Sequence, residues 1–211
     1  ITNEMVAEAP FMKEKIAEIR DFCDGSIMMA HHAPFDMGFL ALDFEKNNIP
    51  PPASQVICTS LLSRKVIPES TNHKLQTLIK YLKIDGGTAH RALDDARACL
   101  HVGLECMNRL GPMTSMADVL AAQGKGLHWA DYRLLDGANQ KITDLVQATE
   151  KKLPVDIIYD GGSSGGQIRR ISPSGIVRNP DGDYVMALCH RDGVQKRFYI
   201  GKIKELSVAL A

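Results

Sequence analysis

An α/β domain followed by a small, mostly β domain is the fold class that this 211-residue sequence predicts, on three observations. Up to about residue 110, short apolar runs alternate with stretches whose apolar residues recur every three to four positions. That is the strand–helix alternation of a layered α/β fold. After Pro154 the pattern turns to short β-branched and aromatic runs separated by Gly, Pro and Asp. Between the two, residues 111–138 hold no sustained period and read as a connector. The expected domains are therefore 1–110, 111–138 and 139–211.

Each element follows from its local chemistry. Residues 1–10 contain no convincing element. Phe11, Met12, Ile16, Ile19 and Phe22 recur at helical spacing and Asp24-Gly25 ends the run, which predicts a helix over 11–23. Ser26 to Ala30 is a short apolar run suited to a buried strand. Pro34 opens a helix to about Lys46, stopped by Asn47-Asn48 and the prolines at 50–52. Gln55 to Leu62 begins strand-like and then loses its pattern. Leu75, Leu78, Ile79 and Leu82 form one helical stripe over 74–82. Asp85-Gly86-Gly87 breaks the chain before the longest periodic stretch, Thr88 to Leu110. Ser115 to Ala122 predicts a short helix, Trp129 and Tyr132 anchor the connector, and Asn139 to Lys152 predicts a helix carrying Ile142, Leu145 and Val146. Strands are expected at 155–159, 167–171, 184–190 and 196–200. Their turns fall at the GGSSGG tract, Pro173-Ser174-Gly175, Pro180-Asp181-Gly182 and Asp192-Gly193.

Bulk composition narrows the function classes. Hydrophobic content of 45% with 24% charged residues describes a water-soluble globular chain, and a formal net charge of zero gives no global pull toward nucleic acid. A local asymmetry remains: from Gly165 onward there are eight Lys/Arg against four Asp/Glu. The five cysteines show no CxxC pairing and read as buried thiols of a reducing, cytoplasmic compartment. No apolar run approaches a membrane span and no signal peptide is visible, so no membrane partner is expected.

The long stretch 88–110 is expected to pack through Ala92, Ala96, Cys99, Leu100, Gly103, Leu104, Met107 and Leu110. Asp94 shares a face with Arg91, Arg97, Ala98 and His101, expected to meet solvent. Asp95 lies above Ala92 and below Cys99 and Val102, on the edge that packs, where a carboxylate needs a cation. His90 precedes Asp95 by five residues, about 140° away on a continued helix. The two converge only if His90 belongs to the loop entering the helix. Asp36, in the first turn of its own helix, stacks beside Phe39 and Leu40 and also faces inward. Two inward carboxylates on different helices suit the walls of a divalent-cation site.

Residues 31–40, HHAPFDMGFL, resemble the second motif of the DnaQ-like, or DEDDh, 3′–5′ exonucleases, whose usual form reads HNAxFDxxFL. TAHRALDDA, at 88–96, resembles their third motif, and Asn72-His73-Lys74-Leu75 followed by Leu78 resembles the helix between the two. The resemblance covers residues 1–110. It implies a ribonuclease-H-like layer of sheet and packed helices. It also implies two Mg²⁺ or Mn²⁺ ions held in part by Asp36 and Asp95, His90 as general base, and the 3′ end of a single-stranded nucleic acid as substrate.

The departures from that pattern carry their own expectations. Family members begin with a strand bearing Asp-x-Glu, two acids on one strand face. Asp43-Phe44-Glu45 lies in a predicted helix, where i and i+2 diverge by about 200°, and Asp181-Gly182-Asp183 is a turn. The chain as given is thus expected to lack the first strands, half of the metal site, and activity in this form. Its uncovered sheet is expected to be closed by a homo-oligomer or by the connector near Trp129. His32 stands where the family has Asn, and Cys58 where an Asp is common.

Residues 139–206 resemble a WYL domain, a small Sm-like β-barrel module of bacterial regulators. Ile158-Tyr159, Arg170 with Pro173, Asp183-Tyr184-Val185, Arg197-Phe198 and Lys202-Ile203 carry that likeness. It implies nucleic acid or a nucleotide as ligand. Arg170, Arg191, Arg197 and Lys202 would pair phosphates, and Tyr184 or Phe198 would stack a base. The rival reading is a non-catalytic regulator that couples a degenerate nuclease fold to a ligand-sensing β domain.

Overall fold

The computed structural model describes residues 2, 4–161, 166–178 and 182–208. It is a mixed α/β chain of two units, Ile1–Asp36 with Asn47–Asp131, and Met37–Lys46 with Tyr132–Ala211.

In the first unit the elements run α1 (Met12–Cys23), β1 (Met28–Ala30), the first turn of α2 (Ala33–Lys46), β2 (Val56–Cys58), α3 (Thr59–Val66), α4 (Leu75–Leu82), α5 (Ala92–Leu110) and α6 (Met116–Gln123). β1 and β2 pair in parallel, Met28 opposite Val56 and Ala30 opposite Cys58. Such a pair needs a long crossover, which α2 supplies. The far edge of β2 is closed by the end of α6 and the segment that follows it. Val56 N–H donates to Leu127 O at 3.2 Å. The buried Gln123 amide acts as a strand neighbour, its Oε1 accepting from Cys58 N–H at 2.7 Å and its Nε2 donating to Lys125 O at 2.7 Å. Ile57, Leu62, Ile67, Leu78, Val102, Cys106 and Val119 form the core beside this pair.

Two helices bury different faces from those expected. Ile16 and Cys23 of α1 are buried, while Phe11, Met12 and Phe22 are exposed. On α5 the buried stripe is Ala98, Cys99, Val102, Gly103 and Cys106, so Ala98 turns inward and Leu93, Leu100 and Leu104 outward. The reason is close approach. A Cβ at Gly103 would run into the Met29 Sδ on β1. α5 therefore lays its smallest side chains on the sheet, and the leucines that dominate its apolar period are left outside.

The second unit opens with the rest of α2. Its Glu45 caps the chain at 134–136: Oε2 accepts from Leu134 N–H at 2.6 Å and Leu135 N–H at 3.0 Å, and Oε1 from Asp136 N–H at 3.2 Å. α7 (Gln140–Glu150) follows, N-capped by Asn139, whose side chain accepts from Ile142 N–H at 3.2 Å. Five antiparallel strands then form one sheet: β3 (Val155–Tyr159), β4 (Ile168–Val177), β5 (Tyr184–Cys189), β6 (Val194–Tyr199) and β7 (Ile203–Val208), in the order β6-β5-β4-β3-β7. Val155, Ile157, Ile171, Val185, Ala187 and Phe198 lead its core, together with Leu145 and Ala148 of α7.

Two expectations for this sheet are corrected. Pro173-Ser174-Gly175 is no turn: β4 runs through it, and the register against β5 shifts between Pro173 and Gly175, a bulge that absorbs the proline. β7 was not expected at all. It is an edge strand paired to β3, and its IKELSV carries Lys204 and Glu205 on exposed positions, which hides the apolar alternation. Asp192-Gly193 does turn, with Gly193 at φ +67°. Residues 162–165 of the GGSSGG tract and Pro180-Asp181 lie outside the described residues. All five cysteines are buried thiols. Among the described residues no helix is long and apolar enough to cross a membrane.

Candidate active site

The site is built where β1 ends and α2 begins. His32 takes φ +67°, a left-handed conformation that asparagine tolerates better than most residues, and its carbonyl accepts from Phe35 N–H at 3.0 Å. That turn delivers Ala33 and Pro34 into the first turn of α2. Asp36 follows at the positive end of the helix dipole. Desolvation pushes the Asp36 carboxyl above its ordinary pKa, opposed by a hydrogen bond from its own backbone and by the charge of the His32 imidazole. His32 is the site neighbour that sequence reasoning registered only as a replaced asparagine.

The start of α5 carries the other expected site residues, His90 just ahead of it and Asp95 in its first turn. Thr88 N–H donates to Asp94 Oδ2 at 2.9 Å, so Asp94 closes the entry turn rather than simply meeting solvent. Arg91 N–H bonds Thr88 O at 3.2 Å across that turn, and His90 sits within it at φ +64°, exposed and ahead of the helix. This is the loop placement that convergence of His90 and Asp95 requires. Asp95 is half-buried, its N–H on Arg91 O at 2.9 Å. Cys99 lies one turn further along the same face. Burial raises the Cys99 pKa most, and the charges of Cys58 and Asp36 raise it further. Asp36 is therefore within electrostatic reach of the residue one turn after Asp95.

Among the described residues neither Asp36 nor Asp95 has a salt-bridge partner, and no group of three or more His, Cys, Asp or Glu is placed to hold a metal ion. Two carboxylates without ion-pair partners, one of them with its pKa pushed up by burial, are hard oxygen donors of the type that Mg²⁺ or Mn²⁺ takes.

In the second unit the expected ligand residues scatter. Arg170 is taken up by a bidentate pair with Asp156 across β3 and β4, at 2.9 and 2.7 Å. Tyr184 is 4% exposed, with the Arg197 guanidinium 5.2 Å over its ring and Tyr199 edge-on at 6.0 Å. Phe198 is core, with Tyr159 edge-on at 5.3 Å. Neither ring offers an open face to a base, which corrects the stacking role expected of them. Arg191 stands on the exposed β5–β6 turn. Lys202 is exposed and 5.9 Å over the half-buried Tyr199 ring. It borders a cleft of about 770 Å³ that also involves Asn139, Lys141, Asp183, Tyr199 and Gly201. Tyr199 is thus the aromatic beside the opening, and only Lys202 of the expected set reaches it. No apolar run singled Tyr199 out, since it follows Phe198 in the same strand.

Residues 1–102 match the family model described as Exonuclease. The DNA polymerase III PolC-type of Oceanobacillus iheyensis is 36% identical over 110 residues, 52% of this chain and 8% of that protein. A Mycobacterium tuberculosis protein named for exonuclease and endonuclease activities is 35% identical over 113 residues, 53% of this chain and 18% of that protein. The chain therefore spans less than a fifth of either relative. The solved proteasome accessory factor B/C of Arthrobacter aurescens is 16% identical with a TM-score of 0.33, over 64% of this chain and 18% of that one. At that score neither fold nor function follows.

Proposed function

We propose that the exonuclease-family domain at residues 1–102 hydrolyses phosphodiesters at the 3′ ends of single-stranded nucleic acid, in the DEDDh manner, in the cytoplasm. Asp36 and Asp95 would hold Mg²⁺ or Mn²⁺, and bound cations of this kind stabilise the charge that develops on the scissile phosphate. Asp36 presents its carboxylate from the first turn of α2, and Asp95 from the first turn of α5. His90, on its exposed turn, would take the proton of the attacking water as general base. One observation carries the reading: residues 1–102, which include Asp36, His90 and Asp95, match the family model described as Exonuclease. The parallel β1–β2 pair, flanked by α3 and α5, supports a ribonuclease-H-like layer.

The reading needs a further Asp-x-Glu pair, to be sought in the encoding gene upstream of Ile1. It is tested by Mn²⁺-dependent release of mononucleotides from a 3′-labelled single strand by the full gene product. Asp95→Asn should abolish release. Undiminished release by that variant would place the activity elsewhere.

A second reading, for residues 139–208, rests on the cleft. An α7 helix followed by five antiparallel strands, the fifth beside the first, supports an Sm-like, WYL-like module. Lys141 and Lys202 with the Tyr199 ring suit an anionic, aromatic ligand such as a nucleotide. Titration with AMP, against Lys202→Ala and with inorganic phosphate in parallel, tests it. Unchanged AMP binding by Lys202→Ala would remove the cleft from consideration. A regulator without catalysis is the outcome if AMP binds and no 3′ release is found.

A further inference from the structure

His31, Thr59 and Cys99 form a chain of hydrogen bonds whose direction its ends dictate. His31 Nε2 lies 3.0 Å from the His73 carbonyl oxygen, an atom that only accepts, so Nε2 carries the ring proton. Burial holds this imidazole neutral, with its pKa lowered to about 4. Nδ1 is then an acceptor, and Thr59 Oγ1, 2.8 Å away, donates to it. With its one proton used, Thr59 Oγ1 accepts from the Cys99 thiol at 3.5 Å. The run is therefore Cys99 Sγ–H to Thr59 Oγ1–H to His31 Nδ1, and His31 Nε2–H to His73 O.

The chain joins four segments. His31 lies on the turn after β1, five residues before Asp36. Thr59 is the first residue of α3 and fully buried. Cys99 lies on α5 one turn after Asp95, and His73 on the approach to α4. Burying polar groups in this place is costly unless they are paired, whereas valine would fill the space of Thr59 without them. Ala98 and Gly103 are among the small residues that α5 buries, and a directional bond adds to their packing an angular preference that dispersion lacks.

We propose that His31 and Thr59 are positioning residues, which through Cys99 set the rotation of α5 and so hold Asp95 against Asp36. This rests on the reading of those two acids as cation ligands. The test is NMR of the full chain, following the His31 ring nitrogens and the loss of Asp36 and Asp95 amide signal on adding Mn²⁺. The expected results are an Nε2–H tautomer for His31, and a threefold to tenfold rise, by order of magnitude, in the Mn²⁺ needed by Thr59→Val and Cys99→Ala. Cys99→Ser and Thr59→Ser, which keep a donor in place, should titrate close to the unaltered chain. An Nδ1–H tautomer, read on the unaltered chain whatever the variants' folding, overturns the chain. So does Thr59→Val responding normally while Asp95→Asn does not respond. If Asp95→Asn also responds normally, the cation reading itself has failed and the positioning role falls with it.

Discussion

The charge of Asp36, in the first turn of α2, adds to the burial that pushes up the pKa of the Cys99 thiol on α5. Asp36 has no salt-bridge partner among the described residues, and desolvation works against its charge. Asp36→Asn is therefore expected to leave the melting temperature unchanged or raise it by up to about 3 °C, while eliminating cation binding. Thermal unfolding with and without Mn²⁺ reads both at once.

His31 gives the fold a pH dependence of definite sign. Its folded pKa is lowered, from 6.5 to about 4, chiefly by burial. The unfolded chain takes a proton near 6.5 and the folded chain does not. Its contribution to stability is thus intact above 6.5, declines as pH falls, and levels off below about 4. The slope in that window is at most about 1.4 kcal/mol per pH unit. Urea unfolding between pH 7 and 4 should show this slope, and His31→Gln should flatten it.

Glu45 accepts from three consecutive backbone N–H groups, and Arg133 Nε lies 3.4 Å from its Oε1. Its side chain is 8% exposed, so removing it strands the part-buried N–H groups of Leu134 and Leu135. Glu45→Ala should destabilise by about 2–4 kcal/mol, clearly more than Arg170→Ala, which removes only the exposed Asp156–Arg170 pair. Chemical denaturation of the two variants makes the comparison.

Gly103→Ala places a methyl where the Met29 side chain ends. A flexible thioether can give way, so the expected loss is about 1–3 kcal/mol rather than failure to fold. Calorimetry reads it, and Met29→Ala in the same chain should relieve part of the loss.

Much of the helix layout was legible because apolar period and stop signals agreed: Pro34, Asn47-Asn48 and Asp85-Gly86-Gly87 bound what they were expected to bound. Period alone did not fix which face turns inward. On α5 the leucines pointed one way and the small residues another, and close approach of backbone to sheet decided for Ala98 and Gly103. Pro173 looked like a turn because the bulge that admits it is a property of the pairing with β5. β7 escaped notice because an edge strand need bury only alternate positions. At the candidate site, the spacing of His90 from Asp95 required His90 to lie in the loop entering α5, where it does lie. The His31–Thr59–Cys99 chain was not legible, since residues 28 and 40 positions apart leave no mark on one another's sequence.

The most direct measurement is a Mn²⁺ titration of the unaltered chain, following every assigned amide. If Asp36 and Asp95 hold one cation, their amides and those of their immediate neighbours lose signal together, at the same Mn²⁺ concentration. Loss at Asp95 without Asp36, or loss confined to other acidic residues, contradicts a shared site.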